Sequence, residues 1–125
     1  MKKILVIDDD QFFAKTIIGA LPEGKYEVAS AENGEDGLQH MKANKPDLVI
    51  LDVLMPKMDG ATFLKTVKED PDLKNVPVLI SSNMSSLKKI SDMMTLGATG
   101  YIIKSDESLD SIVQNIESIL TKSTP

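Results

Sequence analysis

The sequence predicts a single α/β domain in which a parallel five-stranded sheet is covered by helices on both faces. Two observations favour this class: apolar runs suited to buried strands alternate with helical patterns along the whole chain, and the segments that join them are short. The 125 residues suffice for one compact domain, and 42% hydrophobic with 26% charged residues is ordinary for a folded protein. Ligand chemistry in such a sheet belongs at the carboxyl ends of the strands.

The first half of the chain supplies two strands and two helices. An apolar run at residues 4–7 predicts a buried strand, and the acidic turn Asp8-Asp9-Asp10 follows it. Residues 11–21 predict a helix whose apolar face comprises Phe13, Ile17, Ala20 and Leu21. Residues 26–30 suit a less buried edge strand, and a weak helix with Gly37, Leu38 and Met41 follows. Gly37 costs that helix about 1 kcal/mol relative to Ala unless close packing requires the missing side chain.

The third strand is the most informative stretch. Residues 49–53 are apolar except for Asp52, which predicts a strand buried on both faces with a carboxylate at its end. An unpaired buried charge is costly, so we expect Asp52 to be either protonated or matched by a cation. Pro56 and Gly60 then reverse the chain before a helix at residues 61–69 that carries Phe63, Leu64 and Val67 on one face.

The remaining pattern repeats the alternation. A fourth strand at residues 76–80, with Pro77 near its start, is followed by Ser81-Ser82, and a fourth helix buries Leu87, Ile90 and Met94 before stopping at Gly97. A fifth strand at residues 100–103 ends in Lys104. The last helix carries the apolar stripe Leu109, Ile112, Val113, Ile116, Ile119 and Leu120. We expect the domain to span residues 1–121, with 122–125 as a tail or the beginning of a linker.

Composition excludes several functions. The chain has 14 Lys and Arg against 19 Asp and Glu, for a net charge of −5, which disfavours direct nucleic-acid binding. Cysteine is absent, so disulfides and thiolate metal sites are excluded. The short apolar run near the start is neither a signal peptide nor a membrane span, so we expect a cytoplasmic protein without membrane contact.

Several polar residues stand at the predicted strand ends. Asp8 and Asp9 follow the first strand, Asp52 ends the third, Ser82 follows the fourth, and Lys104 follows the fifth. Each has a simple structural explanation, because Asp8-Asp9-Asp10, Asp52 or Ser81-Ser82 can cap a helix and Lys104 can be a surface residue. Their coincidence at one edge favours a functional cleft instead.

Adjacent carboxylates repel one another unless they hold protons or a hard cation. Oxygen ligands without His or Cys favour Mg²⁺, and a lysine and a hydroxyl beside them suit phosphoryl transfer, which depends on positioning and charge neutralisation. Asp8 and Asp9 lie on one turn and suit the metal. Asp52 stands alone on the central strand, so it is the candidate phosphoacceptor.

These residues resemble the receiver domain of two-component response regulators, the family that includes the chemotaxis regulator. The resemblance covers essentially the whole chain and rests on Asp8-Asp9, on Asp52 within residues 51–60, on Ser82 and on Lys104. It implies a flavodoxin-like (βα)5 fold with sheet order 2-1-3-4-5.

The resemblance also implies the roles of individual residues. Asp52 would accept a phosphoryl group from a histidine kinase or a histidine phosphotransfer protein, and small phosphodonors are plausible. Asp8, Asp9, Asp52 and the backbone carbonyl of Leu54 would hold Mg²⁺, and Lys104 would contact the phosphoryl oxygens. Ser82 would move toward the phosphate and Tyr101 would follow inward, which would reshape the face of the fourth helix, fifth strand and fifth helix for a downstream effector or a phosphorylation-dependent homodimer. Tyr101 has the alternative of an ordinary edge-strand aromatic.

The chain departs from the family pattern at two places. Ser105 replaces the proline that usually follows the lysine through a cis bond, and a non-proline cis bond is costly enough that we expect a trans bond here. Leu54 and Met84 stand where side chains flank the attacking water, and both are apolar. We therefore predict slow hydrolysis of the phospho-form, and a faster rate for a Leu54→Asn, Met84→Glu variant.

The sequence also bears on three alternative functions. An Asp-nucleophile phosphatase acting on external substrates needs a second acid where Leu54 stands, so we expect a switch rather than an enzyme. A flavin binder needs a phosphate loop where three Asp stand. The remaining alternative is a receiver-like interaction module that never takes phosphate.

Overall fold

Strands and helices alternate throughout the part of the chain that the computed structural model describes, which is residues 1–53, 58–82, 87–105 and 107–122, without the side chains of Leu87 and Lys122. The strands are Lys2–Ile7 (β1), Tyr26–Ala31 (β2), Leu48–Asp52 (β3), Val78–Ser82 (β4) and Gly100–Ile103 (β5). The helices are Gln11–Ala20 (α1), Gly34–Ala43 (α2), Gly60–Glu69 (α3), Leu87–Thr95 (α4) and Leu109–Lys122 (α5). All strands pair in parallel in the order β2-β1-β3-β4-β5, which confirms the predicted fold class and sheet order.

Helices cover both faces of this sheet, so the protein has two apolar layers. Side chains alternate between the faces of a strand, and each face meets its own set of helices. The first layer lies between the sheet and α2, α3 and α4, and its largest members include Ile7, Leu51, Phe63 and Leu64. The second lies between the sheet and α1 and α5, and includes Ile4, Ile50, Ile17 and Ile116.

The two kinds of strand differ in burial as the sequence predicted. Every residue of the central strand β3 is buried, whereas β2, at one edge of the sheet, has one buried residue, Ala31. The other edge is β5, whose Tyr101 side chain is 48% exposed. Among the described residues, no helix has the length and apolar content that crossing a membrane requires.

Three details of the predicted elements differ from the structure. The fourth strand begins at Val78 rather than at residue 76, because the Val76 N–H donates to Leu73 O in a turn and Pro77 has no N–H to donate. On α4 the buried methionine is Met93, and Met94 is 39% exposed. Leu109, predicted on the apolar stripe of α5, is likewise 39% exposed.

Close packing explains the glycine in α2. A Cβ built on Gly37 would clash with Ile7 Cδ1 and lie 2.9 Å from Ile7 Cγ1, so the helix lies against β1 where no side chain fits. The predicted stop of α4 is also found, since Gly97 adopts a φ of 108° just beyond the helix, a conformation that favours glycine.

Candidate functional site

The carboxyl ends of β1 and β3 bring three carboxylates together. Asp8 and Asp9 follow β1 directly, and Asp52 is the last residue of β3. One carboxylate oxygen from each of the three lies within 4.8 Å of the others. Asp8 and Asp52 are buried and Asp9 is exposed, so the cluster opens toward solvent on the Asp9 side.

Lys104 joins this cluster from the end of β5. Its ammonium Nζ lies 2.7 Å from Asp8 Oδ2 and 3.9 Å from Asp52 Oδ2, and its side chain is only 6% exposed. The Lys104 backbone N–H donates to Ser82 O at 2.8 Å, which fixes where its side chain begins. No peptide bond among the described residues is cis, and these include the Lys104–Ser105 bond, as expected.

The residues of the acidic turn after β1 make different contacts. Asp8 Oδ1 accepts a hydrogen bond from the Asp10 N–H at 2.8 Å, and Gln11 Nε2 donates to the Asp8 carbonyl at 2.8 Å. Asp10 is the N-cap of α1, where its Oδ1 accepts from the Phe13 N–H at 3.1 Å. The capping interpretation therefore holds for Asp10, while Asp8 and Asp9 belong to the cleft.

The connection after Asp52 is held close to the strand by a glycine. Gly60 N–H donates to Val53 O at 3.2 Å, and a Cβ at Gly60 would lie 3.0 Å from that oxygen and 3.2 Å from Asp52 O. A larger residue would displace the backbone that carries Asp52. Leu54, whose carbonyl was predicted to bind metal, and Met84 lie outside the described residues.

The two serines at the end of β4 occupy different surroundings. Ser81 is the register partner of Asp52, and Ser82 is the partner of Ile103. Since successive residues of a strand point to opposite faces, Ser81 shares the face of Asp52, and Ser82 shares that of Ile80 and Tyr101. Both serines are buried, and the Ser81 hydroxyl has no hydrogen-bond partner in the part of the chain that is described.

One contact at this site was not expected from the sequence. The Phe13 ring, assigned to the apolar face of α1, lies beneath the Lys104 ammonium, with 4.3 Å between Nζ and the ring centroid. The sequence did contain a signal for this contact, because the helix that follows β1 begins at the carboxyl edge of the sheet, where Lys104 also lies. Only the fold reveals that Lys104 reaches it.

Comparison with known proteins identifies the fold and its family. The family model described as "Response regulator receiver domain" matches residues 4–117. The chain belongs to this family. It is 41% identical over 105 residues to the chemotaxis protein CheY of Treponema pallidum, an alignment that covers 82% of this chain and 72% of the relative. The receiver fold also matches a crystal structure of a putative response regulator from Chloroflexus aurantiacus at 32% identity and a TM-score of 0.89, covering 96% of this chain and 98% of that one.

Other relatives are longer proteins. The probable transcriptional regulator ycf27 of Porphyridium aerugineum is 34% identical over 120 residues, which are 92% of this receiver but 48% of that protein. The receiver thus spans about half the length of such relatives. Receivers generally act as signalling switches, and their family membership implies a histidine kinase upstream and an effector downstream.

Proposed function

We propose that this receiver takes a phosphoryl group from a histidine kinase or a histidine phosphotransfer protein onto Asp52. The observation that carries the proposal is the grouping of Asp8, Asp9 and Asp52 within 4.8 Å, with the Lys104 ammonium 2.7 Å from Asp8 and 3.9 Å from Asp52. In the transfer, an Asp52 oxygen forms a bond to phosphorus, the bond from phosphorus to the imidazole nitrogen breaks, and the leaving imidazole retains the electron pair. Lys104 is close enough to the acceptor to offset negative charge on the phosphoryl oxygens.

The donor set fits Mg²⁺. All three side chains offer carboxylate oxygens, the described residues add no sulfur or imidazole to the cluster, and the exposed Asp9 leaves an open side for water and substrate oxygens. Asp8, Asp9 and Asp52 would hold the ion, together with the Leu54 carbonyl that the family resemblance implies. When bound, the ion supplies positive charge to the phosphoryl oxygens.

Asp52 is the acceptor in this proposal because of its place in the sheet. It ends the central strand, its side chain is buried beside Lys104, and Gly60 keeps the following backbone close. Asp9 is exposed, and Asp8 is bound by both the Lys104 ammonium and the Asp10 N–H. These surroundings support the proposal that Asp52, besides contributing an oxygen to the metal site, is the nucleophile, while Asp8 and Asp9 serve the metal.

Ser82 and Tyr101 would then transmit the effect of phosphorylation to the protein surface. They share the sheet face that α4 covers, and the Ser82 carbonyl already accepts the Lys104 N–H. A phosphoryl group adds roughly −1.5 to −2 charge and acceptor oxygens, so a hydroxyl that reaches it gains a charge-assisted hydrogen bond. We propose that this movement reshapes the face of α4, β5 and α5.

That face suits a protein partner. Met94, Tyr101 and Leu109 leave exposed apolar surface on α4, β5 and α5 respectively. Its partner would be a downstream effector protein or, in the phospho-form, a second copy of the chain. The receiver is proposed to act as a switch without turning over an external substrate.

Intact-mass measurement after incubation with acetyl phosphate tests the proposal. The native protein should gain one phosphate adduct with Mg²⁺ and none with chelator, and Asp52→Asn should gain none under either condition. Asp59→Asn is the matched control, because Asp59 is an acid of the same connection outside the cluster, and it should be modified like the native protein. If the native protein gains no adduct, the proposal is contradicted and the interaction module is favoured. An adduct that still forms in Asp52→Asn also contradicts the proposal.

A further inference from the structure

The Lys104 ammonium has three close neighbours among the described residues. Two are the carboxylates of Asp8 and Asp52, and the third is the Phe13 ring, whose centroid lies 4.3 Å from Nζ. A cation within about 6 Å of an aromatic centroid is attracted to the ring face, and the attraction strengthens when water is excluded. The Lys104 side chain is 6% exposed, so this contact is nearly dry.

The ring itself is held firmly. Phe13 lies in the first turn of α1, where its N–H donates to the N-cap Asp10, and its half-buried side chain packs against the apolar layer beneath α1 and α5. The same cap fixes the turn that carries Asp8 and Asp9. Phe13 and the acidic turn are therefore positioned by one short stretch of chain.

The ring differs from the two carboxylates in one respect. In the proposed function Asp8 and Asp52 serve the metal ion and the phosphoryl group, so a bound cation competes with Lys104 for their oxygens. An aromatic face takes part in neither interaction. It can hold the ammonium when the pairing with Asp8 weakens. The flexible four-carbon stem of lysine needs such a constraint, because its backbone anchor to Ser82 leaves the side-chain rotamers open.

We propose that Phe13 is a positioning residue that holds the Lys104 ammonium between Asp8 and Asp52 through a cation–π contact. The inference rests on the proposed phosphoryl transfer for its purpose, but the contact itself is testable without phosphate or metal. Phe13 acts through Lys104 and touches no reacting atom.

The first measurement is the NMR chemical shift of the Lys104 Hε protons in the metal-free protein, assigned by their absence in Lys104→Met. A ring face this close should move these protons upfield, and Phe13→Leu should return them toward the value of an ordinary lysine. Phe13→Tyr keeps the ring and should retain the upfield shift. Phe12→Leu is the matched control: the neighbouring aromatic is 81% exposed, and its loss should leave the shift unchanged.

The second measurement is the initial rate of adduct formation with acetyl phosphate and Mg²⁺. We expect Phe13→Leu to slow it roughly two- to thirty-fold, Phe13→Tyr to restore it to within about twofold, and Phe12→Leu to match the native protein. An unchanged Hε shift in Phe13→Leu overturns the contact. A native rate in Phe13→Leu, or a rate that Phe13→Tyr does not restore, overturns the positioning role.

The two proposals fail in different ways. If the native protein takes no phosphate, the proposed function is wrong, while the Hε shift still decides whether the ring holds Lys104. If the adduct forms on Asp52 but Phe13→Leu changes neither measurement, the function stands and Phe13 is only a core residue.

Discussion

Asp59 begins the helix that follows the acceptor strand, and its capping hydrogen bond can be measured through pH. Its Oδ1 accepts from the Thr62 N–H at 2.8 Å, and this backbone hydrogen bond, with a smaller effect of the Thr62 side chain, lowers the pKa of Asp59 below its ordinary value. A carboxyl whose pKa is lower in the folded state adds stability that is complete above the unfolded pKa near 3.8 and is lost as pH falls through the folded pKa.

We therefore predict that Asp59→Ala lowers the free energy of unfolding by about 1 kcal/mol at pH 7, and that the gap from the native protein narrows below pH 4. Asp59→Asn should stay within a few tenths of a kcal/mol of the native protein at pH 7, because Asn is an equally good N-cap. Urea denaturation at pH 7 and pH 3 measures both. If the free energies of unfolding of Asp59→Ala and the native protein differ by the same amount at both pH values, the ionised carboxylate contributes nothing to stability.

The sequence predicted which polar residues form the cleft, but it did not predict the neighbouring residues that contact them. Asp8, Asp9, Asp52 and Lys104 follow apolar runs, so a parallel sheet brings them to one edge whatever the details of packing. Phe13 has the same sequence signal as any core aromatic, and only the path of the Lys104 side chain gives it a second contact. The Ser81 hydroxyl, which has no hydrogen-bond partner among the described residues, was equally hidden, since strand alternation matters only once the register with Asp52 is known.

Among the secondary-structure elements, α1 and α2 have glycines in different settings, Gly19 in α1 and Gly37 in α2. A Cβ on Gly37 of α2 would clash with Ile7, which is fully buried, whereas a Cβ on Gly19 of α1 would meet no atom of the described residues within 4 Å. Alanine favours a helix by about 1 kcal/mol at either position, so the packing decides the sign of the change.

We expect Gly37→Ala to destabilise the protein by about 1–2 kcal/mol, since overpacking typically costs about 1–3 kcal/mol and exceeds the gain in helix propensity. Gly19→Ala should raise stability by about 0.5–1 kcal/mol. Urea denaturation of the two variants and of the native protein gives the sign of each change in the free energy of unfolding. Stabilisation by both substitutions would show that Ile7 can move aside.

The number and order of the elements followed from the alternating pattern, while their ends depended on hydrogen bonds that the pattern does not contain. The predicted start of β4 was wrong because the Val76 N–H donates a hydrogen bond to Leu73 O in a turn. The buried methionine of α4 was misassigned because Met93 and Met94 are adjacent, and a difference of one position changes the helix face.

For the whole molecule, the carboxylate cluster should make stability depend on divalent cations. Three acidic groups within 4.8 Å repel one another, and a cation that binds only the folded protein stabilises it by mass action. At ten times its dissociation constant, Mg²⁺ should add about 1.4 kcal/mol and raise the melting temperature by roughly 4–8 °C.

Asp9→Asn should lose most of this Mg²⁺-dependent rise and melt higher than the native protein in chelator, because one repelling charge is gone. Asp10→Asn is the control, since it keeps an N-cap residue, lies outside the cluster and should retain the full rise. Thermal denaturation with chelator and with increasing Mg²⁺ measures both variants. Equal rises in Asp9→Asn and the native protein would place the ion elsewhere.

The two apolar layers also differ in how much of the chain must be synthesised before each can close. All the buried members of the layer under α2, α3 and α4 lie between Leu5 and Ala98, whereas the opposite layer needs Ile112, Ile116 and Leu120 from α5. A nascent chain that has emerged from the ribosome only as far as β5 can bury one face of its sheet, while the other face is covered by α1 and still lacks the apolar residues of α5. Asp52 and Lys104 belong to the face that α5 completes, so the surroundings of the site should reach their full burial only after α5 has emerged.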